Sequence, residues 1–181
     1  MHPNIRPFRR LGAAAASLAF SIFSACTAPS GQPLGERGTH ATGEQQLTLE
    51  QNKALVRRII EEAFNGRAVS IVGPLVTSEF RSHNPRVPPG RAGLEHFVRG
   101  FLDGFSDFAG QIREILAEGD KVVVWVDWRG THTGTFAGVA ATGRHVEFTT
   151  VELFRLEGGK LAEHWDVADR LALQQGLGLV R

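Results

Sequence analysis

Tyrosine is absent from this chain of 181 residues, and cysteine occurs once, at Cys26. With no phenol available, any general acid or base is a carboxylate or a histidine. A lone cysteine closes no internal disulfide. No G-x-G-x-x-G or P-loop pattern occurs, so the paired glycines read as turns and not as phosphate cradles. His40, His83, His96, His132, His145 and His164 show no tight ligand spacing, which argues against a metal site. No serine or cysteine stands in a nucleophile-elbow context. The formal net charge is only +1, and part of the basic excess is Arg6, Arg9 and Arg10 at the N-terminus. That balance gives no footprint for a nucleic-acid partner.

What is present is ordinary for one globular domain: 42% hydrophobic and 22% charged residues, with phenylalanine abundant at 12. The N-terminus stands apart. "MHPNIRPFRR" is a basic segment, and "LGAAAASLAFSIFSA" is an apolar run of about fifteen residues, the size of a signal-peptide core and short for a membrane span. Ser24 and Ala25 directly before Cys26 resemble a bacterial lipobox, although Phe23 stands where leucine is usual. Residues 1–26 are therefore expected to be an export signal with Cys26 as the lipidated residue, which would make this a membrane-anchored lipoprotein of the cell envelope or periplasm. A plain secretory signal is the other reading. Residues 27–45, rich in Gly, Pro, Ser and Thr, read as a flexible tether, and 46–181 as the folded domain.

Within that domain, "LTLEQNKALVRRIIEEAFNG" carries apolar residues at helical spacing, with a capping box at Thr48 and Gln51 and a stop at Asn65-Gly66. "AVSIVGPLVTSEF" reads as a short helix turned at Pro74, "RSHNPRVPPG" as a loop, and "GLEHFVRGFLDGF" as a second amphipathic helix. The period then changes from helical to alternating. Two hairpins follow, turning at Glu118-Gly119-Asp120 and at Gly158-Gly159, and "RLALQQGLGLV" closes the chain as a helical cap. Helices first and antiparallel strands afterwards predict an α+β fold, a strongly curved sheet wrapped around helices to form a cone.

The last hairpin carries an unusual density of charge for a core strand. Pairing Leu156 with Leu161 across the turn sets Phe154 opposite Glu163, Glu152 opposite Trp165 and Phe148 opposite Asp169. Strand alternation then puts Phe148, Thr150, Glu152, Phe154, Glu163, Trp165, Val167 and Asp169 on one side, expected to be the concave one because it holds the large aromatics. Trp128 shares its face with Val122, Val124 and Val126, and continued alternation brings His132 to that side. A carboxylate among such rings must be paired, hydrogen-bonded or protonated, which makes it a candidate proton carrier. A slip of one residue would exchange the faces and make His164 and Asp166 the lining. His83 reads equally as a turn cap beside Pro85 or as a pocket residue.

The segments "NKALVRRIIEEAFNG", "SHNP", "AEGDKVVVWVDWRGTHTGTFAGVAATGRHVEF" and "GKLAEHWDVADRLALQQGLG" resemble the SnoaL-like polyketide cyclases, or ester cyclases, of the nuclear transport factor 2-like superfamily. The resemblance implies the cone fold and, in the cyclases, an aspartate of the last strand acting as acid–base in an intramolecular aldol ring closure without metal or cofactor. "EHWDVAD" offers Asp169, favoured by the register above, and Asp166. The resemblance also suggests that His132 and His83 border the pocket.

Two readings stay open. One is a cofactor-independent cyclase, isomerase or lyase in which Asp169 or Asp166 moves a proton beside a carbonyl of a small hydrophobic substrate, His132 or Glu152 steadies the oxygen, and aromatic walls including Trp128, Phe148, Phe154 and Trp165 exclude water. The other is a non-catalytic module that binds a small apolar ligand or a partner. An uncovered sheet face would favour a homodimer.

Overall fold

The structure is a computed structural model that describes residues 43–181. The expected export signal, Cys26 and the tether up to residue 42 lie outside the described residues. Helix α1 (Gly43–Arg58) runs on through a π-helical stretch at Ile59–Asn65. Thr48 therefore lies inside this helix and not at its start, a correction to the expected capping box. Val56, Ile59, Ile60, Ala63 and Phe64 are its buried stripe. The left-handed residue after it is Arg67, at φ 56°, and not Gly66. Such a backbone costs a non-glycine residue about 1 kcal/mol or more. Arg67 offsets this by donating from Nη2 to the Leu102 carbonyl at 2.6 Å and from Nη1 to the carbonyls of Phe105 and Ser106.

A 3-10 turn at Val69–Ile71 and a short helix α2 (Val72–Leu75) lead into strand β1 (Val76–Ser82). This strand was expected as helix, and it corrects the all-antiparallel sheet. After α3 (Gly90–Gly104) come β2 (Ala109–Glu118), β3 (Lys121–Thr131), β4 (His145–Glu157), β5 (Lys160–Ala168) and helix α4 (Arg170–Leu177). The sheet order is β1-β5-β4-β3-β2, antiparallel except for the parallel β1–β5 pair. The architecture is α+β, with one mixed, five-stranded sheet.

Strand β3 shows its two faces plainly. Val122, Val124, Val126 and Trp128 are buried, while Val123 and Trp125 between them are exposed. On the inner side, the Phe101 ring of α3 lies 4.7 Å from Phe108 and 6.2 Å from Phe148. Trp128 stacks on Phe108 at 5.2 Å, and this needs a glycine at Gly110, where a Cβ would stand 2.6 Å from the indole. Asn65 pins that glycine by accepting from its N–H and donating to its carbonyl.

The expected register of the last hairpin holds at Leu156–Leu161 and then fails. Arg155 pairs with Glu163, so Ala162 is an extra, bulged residue. Beyond it every partner is displaced by one: Phe154 faces His164, Glu152 faces Asp166 and Thr150 faces Ala168. The parity of β5 is thereby reversed. Glu163, Trp165 and Val167 point outward, and His164 and Asp166 point inward.

Candidate active site

The inner face encloses a cavity of about 100 Å³, walled by aromatic side chains of α3, β3 and β4 and by Ile59, Ile60 and Phe64. A polar strip crosses it. Trp128 Nε1 donates to Thr150 Oγ1 at 2.9 Å, and Thr150 passes its hydroxyl proton toward Glu152 Oε1 at 2.8 Å. The other oxygen of Glu152 lies 2.5 Å from His164 Nε2. The opposite ring nitrogen of His164 meets Ser82 Oγ at 2.9 Å, and Ser82 also accepts from the Asn84 backbone N–H at 3.1 Å. Both oxygens of Glu152 are thus engaged, and so are both nitrogens of His164. Buried polar groups are expected to be satisfied in this way.

Asp166 differs. Its Oδ2 accepts from Asn84 Nδ2 at 3.0 Å, and among the described residues its Oδ1 has no partner. Burial is the first cause pushing the Asp166 carboxyl above the usual range, and the charge of Glu152 adds to it. His164, the Asn84 hydrogen bond and Arg170 oppose the shift in that order. Asn84 is itself fixed by an Asx turn, its Oδ1 accepting from the Arg86 N–H at 2.9 Å. A half-buried carboxyl with raised proton affinity and one unengaged oxygen in an apolar cavity can exchange a proton with a ligand.

The fold separates the expected site residues. Asp166, Trp128, Glu152, Phe154 and Phe148 line the cavity, and Asp169, His132, His83, Glu163 and Trp165 do not. Asp169 is the N-cap of α4, accepting from the Ala172 N–H at 2.9 Å, and it borders an open groove of about 460 Å³ with Arg113, Asp127, Arg129 and Glu147. In that groove Arg113 already pairs with Asp127, whose carboxyl is held low first by the Arg113 hydrogen bond.

His132 does take the inner side, as alternation requires, and it is fully buried. Its ring lies 5.2 Å from Phe105, and its Nδ1 meets Thr142 Oγ1 at 3.0 Å, fastening the loop that carries Phe136. The bulge accounts for Glu163 and Trp165. His83 stacks on Trp165 at 4.4 Å with its Nε2 3.0 Å from Glu163, outside the cavity. Hydrogen bonds from His83 first and Arg155 second hold the Glu163 carboxyl below its usual range.

Asn84, Arg86 and Arg170 also line the cavity, and sequence reasoning did not single them out. The "SHNP" turn was the available signal for Asn84. Its approach to Asp166 depends on the parallel pairing of Ser82 with His164, a long-range contact with no local signature. Among the described residues no cluster of three His, Cys, Asp or Glu side chains is arranged to hold a metal ion.

The family model of the SnoaL-like polyketide cyclases matches residues 54–177. Among curated proteins, the chain is 30% identical to the aklanonic acid methyl ester cyclases DauD of Streptomyces sp. (strain C5) and DnrD of Streptomyces peucetius. The alignment spans 131 residues in each case, 68% of this chain and 80% and 88% of those two relatives. Among solved structures, TsrD from Streptomyces laurentii superposes with a TM-score of 0.67 at 26% identity, over 72% of this chain and 97% of TsrD. A protein from Jannaschia sp. CCS1 described as a SnoaL-like polyketide cyclase gives 0.66 at 26% identity, over 73% of this chain and 94% of its own.

Proposed function

The chain belongs to the SnoaL-like polyketide cyclase family, and from that membership we propose that it catalyses cofactor-free proton transfer beside a carbonyl of a small hydrophobic substrate, with Asp166 as acid–base. The observation that carries this reading is the unengaged Asp166 Oδ1 among aromatic walls, beside a Glu152 with no oxygen to spare. Asp166 takes the proton from the carbon next to the carbonyl. The enolate so formed attacks a second carbonyl of the same molecule in an aldol ring closure, or is reprotonated elsewhere in an isomerisation. Asn84 holds the aspartate in place, and the Glu152–His164 pair keeps a fixed charge distribution around it. The aromatic walls exclude water that would quench the enolate.

Replacing Asp166 with Asn tests this. General acid–base groups contribute about 10²–10⁴-fold, so turnover of a carbonyl panel should fall by that order while ligand binding persists. Unchanged turnover would remove Asp166 from the reaction. A wild-type protein that turns over nothing but still binds apolar ligands would instead be the binding module, a reading favoured by the small size of the cavity.

We further propose that residues 1–26 direct export and that Cys26 carries the lipid, with the expected 27–45 segment, up to the start of α1 at Gly43, as tether. Globomycin should then accumulate an unprocessed precursor in cells; normal processing under the drug would argue for another route. The outer sheet face supports a homodimer, because Leu116, Val123, Trp125, Val151 and Val167 are all exposed there. A Trp125→Glu substitution should shift a dimer toward monomer in sedimentation, and a wild-type chain that sediments as a monomer ends that proposal.

A further inference from the structure

Of the eleven arginines from α1 through β5, three carry on their side chains an acidic partner at 2.8 Å or less: Arg58 with Glu62, Arg113 with Asp127 and Arg155 with Glu163. Others are spent on carbonyls, Arg67 on Leu102 and Arg91 on Gly73. Arg86 and Arg170 are different. Both line the inner cavity, and among the described residues neither guanidinium makes a hydrogen bond or salt bridge, while the charge of Arg170 acts on Asp166. They come from separate elements, Arg86 from the loop after β1 and Arg170 from the first residue of α4, and both are exposed at their outer ends. Asn84 and Asp166 belong to the same lining. The cavity lining therefore combines two solvent-exposed guanidiniums with an aromatic interior.

The interior is small. Pockets for drug-sized ligands usually hold about 300–1,000 Å³, and an engineered cavity of about 150 Å³ takes benzene. At about 100 Å³ this cavity has room for a group no larger than one ring, and the rest of a ligand must leave toward the arginines. An anion is the group that two unpaired guanidiniums select, and a planar carboxylate suits their forked donors.

We propose that the ligand of this site is a free carboxylic acid with an apolar body of at most one ring, its carboxylate held by Arg86 and Arg170 and its body among the aromatic walls. This deepens the proton-transfer reading and rests on it only in placing a carbonyl of that ligand against Asp166. A fused-ring ester is excluded by size and by the absence of the anionic group.

Binding of phenylacetate and of methyl phenylacetate to the full chain, measured by isothermal titration calorimetry, tests the assignment. Charge-assisted bonds at an exposed rim are worth about one factor of ten in affinity. The acid should therefore bind about 10-fold more tightly than the ester, and added salt should weaken the acid alone. The double substitution Arg86→Gln with Arg170→Gln should erase the preference, and displacement of an apolar dye by the ester checks that the variant still folds around its cavity. Equal or tighter binding of the ester, a preference that survives in the double variant, or no binding of either compound overturns the proposal. Acid preference in a protein that turns over no carbonyl substrate leaves the anion site standing and removes proton transfer. Turnover of neutral ketones without any acid preference does the reverse.

Discussion

Glu152 and Asp166 are direct cross-strand partners on β4 and β5, yet they meet different environments. Glu152 gives one oxygen to Thr150 and the other to His164, while Asp166 shares only one of its two with Asn84. Two carboxylates on neighbouring strands thus divide the work: one anchors a network, the other stays available. Burial first, and the adjacent charge of Glu152 second, raise the proton affinity of Asp166.

The Glu152–His164 pair is the anchor, and its side chains are only 14% and 6% exposed. Removing one member of a buried pair costs about 3–5 kcal/mol, because the survivor is left without its partner. His164→Ala and Glu152→Ala should each lower stability in urea denaturation by about that amount. Replacing both by Met should cost clearly less than the sum of the two. Strict additivity would mean that the two groups are not coupled.

Asp169 serves α4 and not the cavity. Loss of an N-cap side chain costs about 0.5–2 kcal/mol, so Asp169→Ala should destabilise within that range, and Asp169→Ser should restore most of the loss. Ligand binding in the cavity should be unaffected by Asp169→Ser. A large effect of that conservative cap on turnover would return Asp169 to the reaction.

Much of the fold was legible because its signals are local. The two hairpin turns, the α3 stripe and the switch from helical to alternating period all sit in short windows, and the structure keeps them. Strand β1 was not legible, since "VTSEF" owes its extended form to a parallel partner more than eighty residues away, at His164 for Ser82. The site was half legible. Glu152, Phe148, Phe154 and Trp128 precede the bulge in register and were placed on the correct face, whereas Glu163, Trp165 and Asp169 follow it and were not. Ala162 itself gives no warning, being neither glycine nor proline.

That dependence on one residue makes its own prediction. Deleting Ala162 would remove the bulge and leave Leu161 opposite Leu156, Glu163 opposite Arg155 and His164 opposite Phe154 in unbroken alternation, so Glu163 and Trp165 stay outward and His164 and Asp166 stay inward. The loss is the buried Ala162 side chain and the local twist of the bulge, and the cost should lie within the ordinary about 0.5–3 kcal/mol of a single change. Circular dichroism and urea denaturation should show a folded variant, and a deletion variant with little or no folded population would refute the assignment of the bulge.

The pH dependence of stability should carry the sign of Asp166. Its folded proton affinity lies above the ordinary value of 3.8, so between that value and its folded pKa the native state holds more protons than the unfolded one. Its contribution to stability is then most favourable in acid and declines as the pH rises through that window, leaving a penalty at neutral pH. Asp166→Asn removes the penalty while Asn84 can still donate to the amide oxygen. The variant should therefore be more stable than the wild type at neutral pH, by no more than about 1 kcal/mol because the group is only half buried and solvent screens it. The advantage should shrink as the pH falls through 3.8, below which Asp166 is protonated in both states. Glu163, held low first by the His83 hydrogen bond and then by Arg155, works in the opposite direction and its contribution is lost on acidification, so the comparison must be made between variant and wild type at each pH. A stability gap that is constant across that range, or one that favours the wild type at neutral pH, would show that Asp166 is not strained by its surroundings.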